Sequence, residues 1–147
     1  MKVIIHIDGG ARGNPGPAAS GIVITDGEGN LLKEAGVYIG EATNNVAEYT
    51  GLVRSLEAAV AMGATDVQAF SDSELVVKQM SGEYRVKNKG LIPLYEEAKL
   101  LAQKFDVFAL THVRREQNVK ADALVNLSID CRRDIGDELV ETDDVEA

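Results

Sequence analysis

The run Val3-Ile4-Ile5-His6-Ile7 stops at Asp8 and passes directly into Gly9-Gly10-Ala11-Arg12-Gly13-Asn14-Pro15-Gly16-Pro17. β-branched residues suit a pleated strand, whereas glycine and proline end one and set turn dihedrals. A segment apolar at nearly every position reads as a strand covered on both faces, the middle of an α/β sheet. Asp8 then stands at the carboxyl end of a central strand, where open α/β sheets carry out their chemistry. On this stretch alone Asp8 reads equally as a turn initiator. What separates the two readings is whether other carboxylates recur at comparable positions.

Ser20 to Thr25 forms a second strand, Asp26-Gly27-Glu28-Gly29-Asn30 a turn, and Leu31 to Ile39 a third strand, giving an antiparallel meander. A glycine-rich loop after a first strand suggests a phosphate cradle, but such a cradle opens into a helix N-terminus. Here the loop opens into another strand and no Gly-Lys-Ser/Thr follows, so a nucleotide cradle is excluded. A first helix starts near Thr43 or Asn44, with Val46, Tyr49, Val53, Leu56 and Val60 at helical spacing and Gly63 closing it. Glu48 falls on its first turn, where an acid commonly just complements the helix dipole.

Val67 to Phe70 is a fourth strand ended by Ser71-Asp72-Ser73-Glu74, so Asp72 repeats the placement of Asp8. A short helix follows, then the basic connection Tyr84 to Gly90 and a helix from about Ile92 to Lys104. Val107 to Val113 is a fifth strand, Arg114 to Asn118 a loop, and the last helix carries Ala121, Leu124, Val125 and Leu127, with Asp122 beside this apolar side. The expected fold is α/β: a mixed five-stranded sheet, meander first and parallel strands after, with flanking helices. Right-handed crossovers bring the fourth and fifth strands alongside the first, which sets Asp8 and Asp72 on neighbouring strand ends.

At 147 residues one domain with an ordinary core is expected, spanning 1–133. Residues 134–147 form an acidic tail without periodicity, read as flexible. One cysteine, Cys131, excludes an internal disulfide and fits a reducing compartment. No leader and no membrane-length apolar run is apparent, so the cytoplasm is the expected location. The net charge of −9 argues superficially against nucleic acid, but seven of the 24 acids lie in the tail, leaving 17 acids against 15 bases in residues 1–133. Glu48 and Asp122 can reach the site of Asp8 and Asp72 from the first and last helices. Four carboxylates together repel, and divalent oxygen-seeking cations relieve that repulsion. Two such ions about 3.5–4 Å apart clamp the attacking and leaving oxygens of a phosphoryl displacement.

Asp8-Gly9 with Gly13-Asn14-Pro15-Gly16, Thr43-Asn44-Asn45-x-x-Glu48, Ser71-Asp72-Ser73 and Asn118-x-x-Ala121-Asp122 together resemble ribonuclease H type 1 over nearly all of residues 1–132. The resemblance implies endonucleolytic hydrolysis of the RNA strand of RNA–DNA hybrids, with 5′-phosphate and 3′-hydroxyl products. It implies Asp8, Glu48, Asp72 and Asp122 as ligands of two Mg²⁺ or Mn²⁺ ions. Asn14, Asn44, Asn45 and Glu74 match positions that approach the RNA, and Thr43 matches a contact to a DNA phosphate. Contacts to the 2′-hydroxyl are how a protein tells RNA from DNA.

Two departures stand out. The loop after the fifth strand lacks the histidine of many bacterial members, and its sequence resembles the archaeal and plant-type branch, with Arg115 in its place. His6 and His112 are read as structural. The basic extra helix of many bacterial members is missing, leaving Arg85, Lys87 and Lys89 as its remnant for holding substrate. A monomer without membrane partners is expected. Rivals to the hybrid-specific reading are a nuclease that also cuts double-stranded RNA and a non-catalytic binding module on the same fold. Retention of all four carboxylates opposes the second.

Overall fold

Alternation along the first strand decides how the layers form. The computed structural model describes residues 1–140, and in it β1 (Lys2–Ala11) buries Val3, Ile5 and Ile7 completely. These side chains share a core with Tyr49, Leu52 and Leu56 of α1 (Asn44–Ala61). β2 (Gly16–Asp26) and β3 (Leu31–Ala42) continue the antiparallel meander, while β4 (Asp66–Ser71) and β5 (Val107–His112) add parallel strands on the other side of β1. α2 (Glu74–Met80) and α3 (Ile92–Ala102) complete the α1 side, where Ala98 and Leu101 join the core. α4 (Val119–Cys131) packs against β2, and Val125 and Ile129 form a second small cluster with Ala19.

The sheet has six strands in the order β5-β4-β1-β2-β3-β6, not the five expected. The sixth, β6 (Ile135–Gly136), comes from the segment read as a flexible tail and pairs antiparallel with Ala35 and Gly36. Side chains reinforce the pairing. Asp134 accepts from the Tyr38 N–H at 2.8 Å and Asp137 accepts from the Glu34 N–H at 3.0 Å. The acids here serve as acceptors for backbone donors of β3, a role that composition alone does not reveal. Leu139 packs on the main core, so a domain boundary at 133 is too early. Residues 141–147 lie outside the described residues.

Two further expectations are corrected. β1 does not end at Asp8; it continues through Gly9 and Gly10 to Ala11, paired with Ala18 to Ser20 of β2. Only its parallel partner stops there, since pairing with β4 ends at Ile7 opposite Ser71. In α4, Leu127 is half exposed, and Ser128 and Ile129 take the buried places. Among the described residues no helix is long and apolar enough to cross a membrane.

Candidate active site

Asp8 projects from β1 one residue past the end of its parallel pairing, leaving room beside it where β4 turns away. Ser71 closes β4 and its hydroxyl accepts from the Ser73 N–H at 3.0 Å, which fixes the turn that carries Asp72. Ser73 in turn caps α2 by accepting from the Val76 N–H. Glu48 and Asp122 arrive on helices, and two glycines let those helices come close enough. A Cβ on Gly9 would lie 2.3 Å from the Glu48 nitrogen, so α1 rests its first turn directly on β1. Gly21 is the residue paired with Asp8 across β2, and a Cβ there would lie 2.0 Å from the Ala121 carbonyl oxygen of α4. One glycine follows Asp8 in sequence and the other faces it in register. Together they set Glu48 and Asp122 beside Asp8.

Carboxylate oxygens of Asp8, Glu48 and Asp72 all lie within 4.8 Å of one another. Asp122 lies close enough to raise the Asp8 carboxyl but does not belong to that tight trio. Asp8 and Glu48 are almost fully buried. Burial first, and then the charges of Asp72 and Asp122, push the Asp8 carboxyl up to about 8. Burial likewise raises Glu48 well above the ordinary range, helped by Asp8 and Asp72 and opposed by the Gly9 N–H. Among the described residues none of the four carboxylates forms a salt bridge. Among these residues Glu48 Oε2 is buried with no hydrogen-bond partner. An orphaned buried carboxylate oxygen in a cluster of hard oxygen donors fits a divalent cation.

The trio opens into a cleft of about 980 Å³, whose lining also includes Asn44, Asn45, Asp122, Arg114 and Arg115. Thr43 caps α1, accepting from the Val46 N–H at 3.2 Å. Asn44 and Asn14 tie α1 to the glycine loop: Asn44 accepts from the Ala11 N–H, and Asn14 accepts from the Asn44 N–H. Arg115 opens the short 3-10 turn Arg115–Gln117. That turn is anchored through Asn118, whose side chain donates to the Ile7 carbonyl at 2.7 Å.

Other expected substrate contacts stand apart from this cleft. Glu74 is exposed and paired with Lys78 at 2.8 Å, and Arg85, Lys87 and Lys89 sit exposed on the connection before α3. His6 is half-buried and stacked on Phe70. His112, read as structural, is instead exposed and lines the cleft. Arg12 lines it too, and nothing in its local sequence marked it out.

A mixed sheet flanked by helices, with acids converging on its central strand where the parallel pairing stops, defines the ribonuclease H class of fold. The family described as reverse transcriptase-like matches residues 6–128. The crystal structure of RNase H1 from the halophilic archaeon Halobacterium salinarum is 43% identical, with a TM-score of 0.86 over 89% of this chain and 99% of that one. LC11-RNase H1, solved in complex with an RNA/DNA hybrid, is 45% identical, with a TM-score of 0.84 over 88% of this chain and 98% of that one. The Mycobacterium tuberculosis bifunctional protein Rv2228c is 48% identical over 131 residues, 88% of this chain. The chain spans 36% of the length of that mycobacterial relative. The chain belongs to the type 1 ribonuclease H family.

Proposed function

We propose that this chain, working as a monomer in the cytoplasm, hydrolyses the RNA strand of RNA–DNA hybrids and leaves 5′-phosphate and 3′-hydroxyl ends. The observation that carries the reading is the buried trio of Asp8, Glu48 and Asp72 at the floor of an open cleft, with one Glu48 oxygen unpartnered. The hybrid bound to the similar LC11-RNase H1 supports the choice of substrate. Asp8, Glu48, Asp72 and Asp122 would hold two Mg²⁺ or Mn²⁺ ions. When bound, such ions activate water and stabilise the charge that develops on a departing oxygen.

The protein's own part is positioning. Asn14, Asn44 and Asn45 lie on the glycine loop and the start of α1, where their amides can meet the 2′-hydroxyls that mark RNA. Thr43 presents the same helix start to a DNA phosphate, while Glu74, Arg85, Lys87 and Lys89 would meet a duplex that extends beyond the cleft. A cleavage assay on labelled hybrid, double-stranded RNA and double-stranded DNA tests the reading. Hybrid should be cut only with divalent metal, chelator should silence the reaction, and Mg²⁺ should restore it. Equal cutting of double-stranded RNA would establish the broader nuclease, and hybrid binding without cutting the non-catalytic module.

Arg115 is assigned to the phosphate or to the departing product. Its charge is permanent, so it cannot shuttle a proton as histidine does near neutral pH. Its planar fork can hold a phosphate oxygen by charge-assisted hydrogen bonds. Arg115→Ala should lower turnover by about ten- to a hundredfold, roughly 1.4–2.8 kcal/mol of transition-state stabilisation. Arg115→Lys should recover only part. Steady-state kinetics within twofold of the parent in both turnover and KM would remove Arg115 from the site.

A further inference from the structure

We propose that Arg12 grips a backbone phosphate of the RNA strand beside the cleaved one, and that Asp130 holds its guanidinium ready when nucleic acid is absent. The inference rests on the hybrid-cleaving reading above. Arg12 follows Ala11, the last residue of β1, and its side chain lines the same cleft as Asp8, Glu48 and Asp72. Its Nη1 donates to Asp130 Oδ1 at 2.5 Å, and its Nη2 lies 3.4 and 3.5 Å from the carbonyl and side-chain oxygens of Asn126. Asn126 in turn donates to the Asp122 carbonyl at 3.1 Å. The guanidinium is therefore laid along α4, next to the turn of helix that carries Asp122.

Several features favour a grip over a brace. Both partners are about half exposed, with side-chain exposures of 49% for Arg12 and 59% for Asp130, and ion pairs so placed stabilise folds little. The backbone of Arg12 is already fixed without the side chain. Its N–H donates to the Pro17 carbonyl at 2.9 Å, and a Cβ on Gly16 would lie 2.0 Å from the Arg12 carbonyl oxygen. Among the described residues the Nε–H of Arg12 makes no hydrogen bond, so the fork keeps donors free. A guanidinium with open donors matches a phosphate bidentately. The electrostatics point the same way. The floor of the cleft is carboxylate, and an incoming polyanion meets cations only on its walls, among them Arg12, Arg114 and Arg115. Asp130 is then a stand-in anion that a phosphate displaces.

This exchange gives the two partners opposite signatures. Hybrid binding is measured on an Asp8→Asn background, which blocks turnover, across a series of salt concentrations. Arg12→Ala should weaken binding about tenfold at low salt and reduce the slope of log affinity against log salt by about 0.9, the loss of one phosphate contact. Arg12→Lys should keep the slope and lose only part of the affinity. Asp130→Asn should tighten binding about two- to threefold, because the competing anion is gone. A brace would instead make Arg12→Ala and Asp130→Asn weaken binding together, with the slope unchanged and thermal stability lowered in both. That result overturns the assignment, as does an unaltered slope in Arg12→Ala alone. Cleavage of hybrid by the parent chain separates the two levels: without it the functional reading falls, and with it only the role of Arg12 is at stake.

Discussion

Asp8→Asn is expected to abolish hybrid cleavage, by a thousandfold or more, about 4 kcal/mol of lost transition-state stabilisation, while making the metal-free fold more stable at neutral pH. The stability half of this result follows from the sign of a proton linkage. In the folded chain the Asp8 carboxyl is pushed up to about 8 by burial and by the neighbouring Asp72 and Asp122. An unfolded aspartate titrates near 3.9, so between about pH 4 and pH 8 the folded state binds more protons than the unfolded one. Unfolding free energy contributed by this group therefore falls as pH rises through that window, and the full penalty stands above it. Asparagine carries no such penalty. The stability gained over the parent should be small near pH 4, grow to roughly 2–4 kcal/mol by pH 8 and then level off. Denaturant unfolding in chelator at several pH values checks this, alongside a cleavage assay with Mg²⁺. Near-parental cleavage would take Asp8 out of the ligand set, and a pH-independent gain would refute the repulsion account. Added metal should reverse the order of stability, because it binds the parent's folded state and finds a weaker site in the variant.

Gly9→Ala should do comparable damage without touching any charge. Its new Cβ would lie 2.3 Å from the Glu48 nitrogen and 2.4 Å from the Ala47 carbonyl carbon, both backbone atoms of α1 that no rotamer change can move aside. The helix must lift from the strand, at a cost of about 3 kcal/mol. For a chain of this size that lowers the melting temperature by roughly 6–12 °C. Lifting α1 also carries Glu48 away from Asp8 and Asp72, and a displacement near 1 Å can cost about a hundredfold in turnover. Gly10→Ala is the matched control. Its Cβ would meet only Val125 Cγ1 at 3.5 Å, an ordinary contact, so stability should stay within about 0.5 kcal/mol of the parent. Thermal unfolding of the pair decides: a Gly9 variant as stable as the Gly10 variant would mean that the close approach of α1 does not govern this site.

Those glycines also show where sequence reading ran out. Asp8 and Asp72 were legible because each follows a short apolar run, and the meander and crossovers place such runs side by side. Glu48 and Asp122 were legible as acids beside an apolar helix stripe, and the resemblance of their motifs gave them a destination. What let those helices approach was not readable. Gly9 looks like turn punctuation whether it ends a strand or continues one beneath a helix, and Gly21 looks like any glycine within a strand. His112 and Arg12 were passed over for a related reason. Strand and loop patterns say which side chains alternate, but not which cleft lies beyond the last ladder bond. The expected five-stranded sheet missed a two-residue strand that has almost no apolar pattern of its own.

That short strand has a consequence for how the protein behaves among its own copies. Without β6, β3 would be the flank of the sheet on this side, and an unpaired strand offers a row of free amides and carbonyls on which another chain can assemble. Ile135 and Gly136 occupy that row opposite Ala35 and Gly36, the Asp137 N–H donates to the Glu34 carbonyl, and Lys33 donates to the Glu138 carbonyl. The segment that docks is acidic at Asp134, Asp137 and Glu138, so a second molecule approaching edge-on meets like charge as well as occupied ladder sites. Seen this way, Asp134, Asp137 and Glu138 act as a guard rail along an adhesive border.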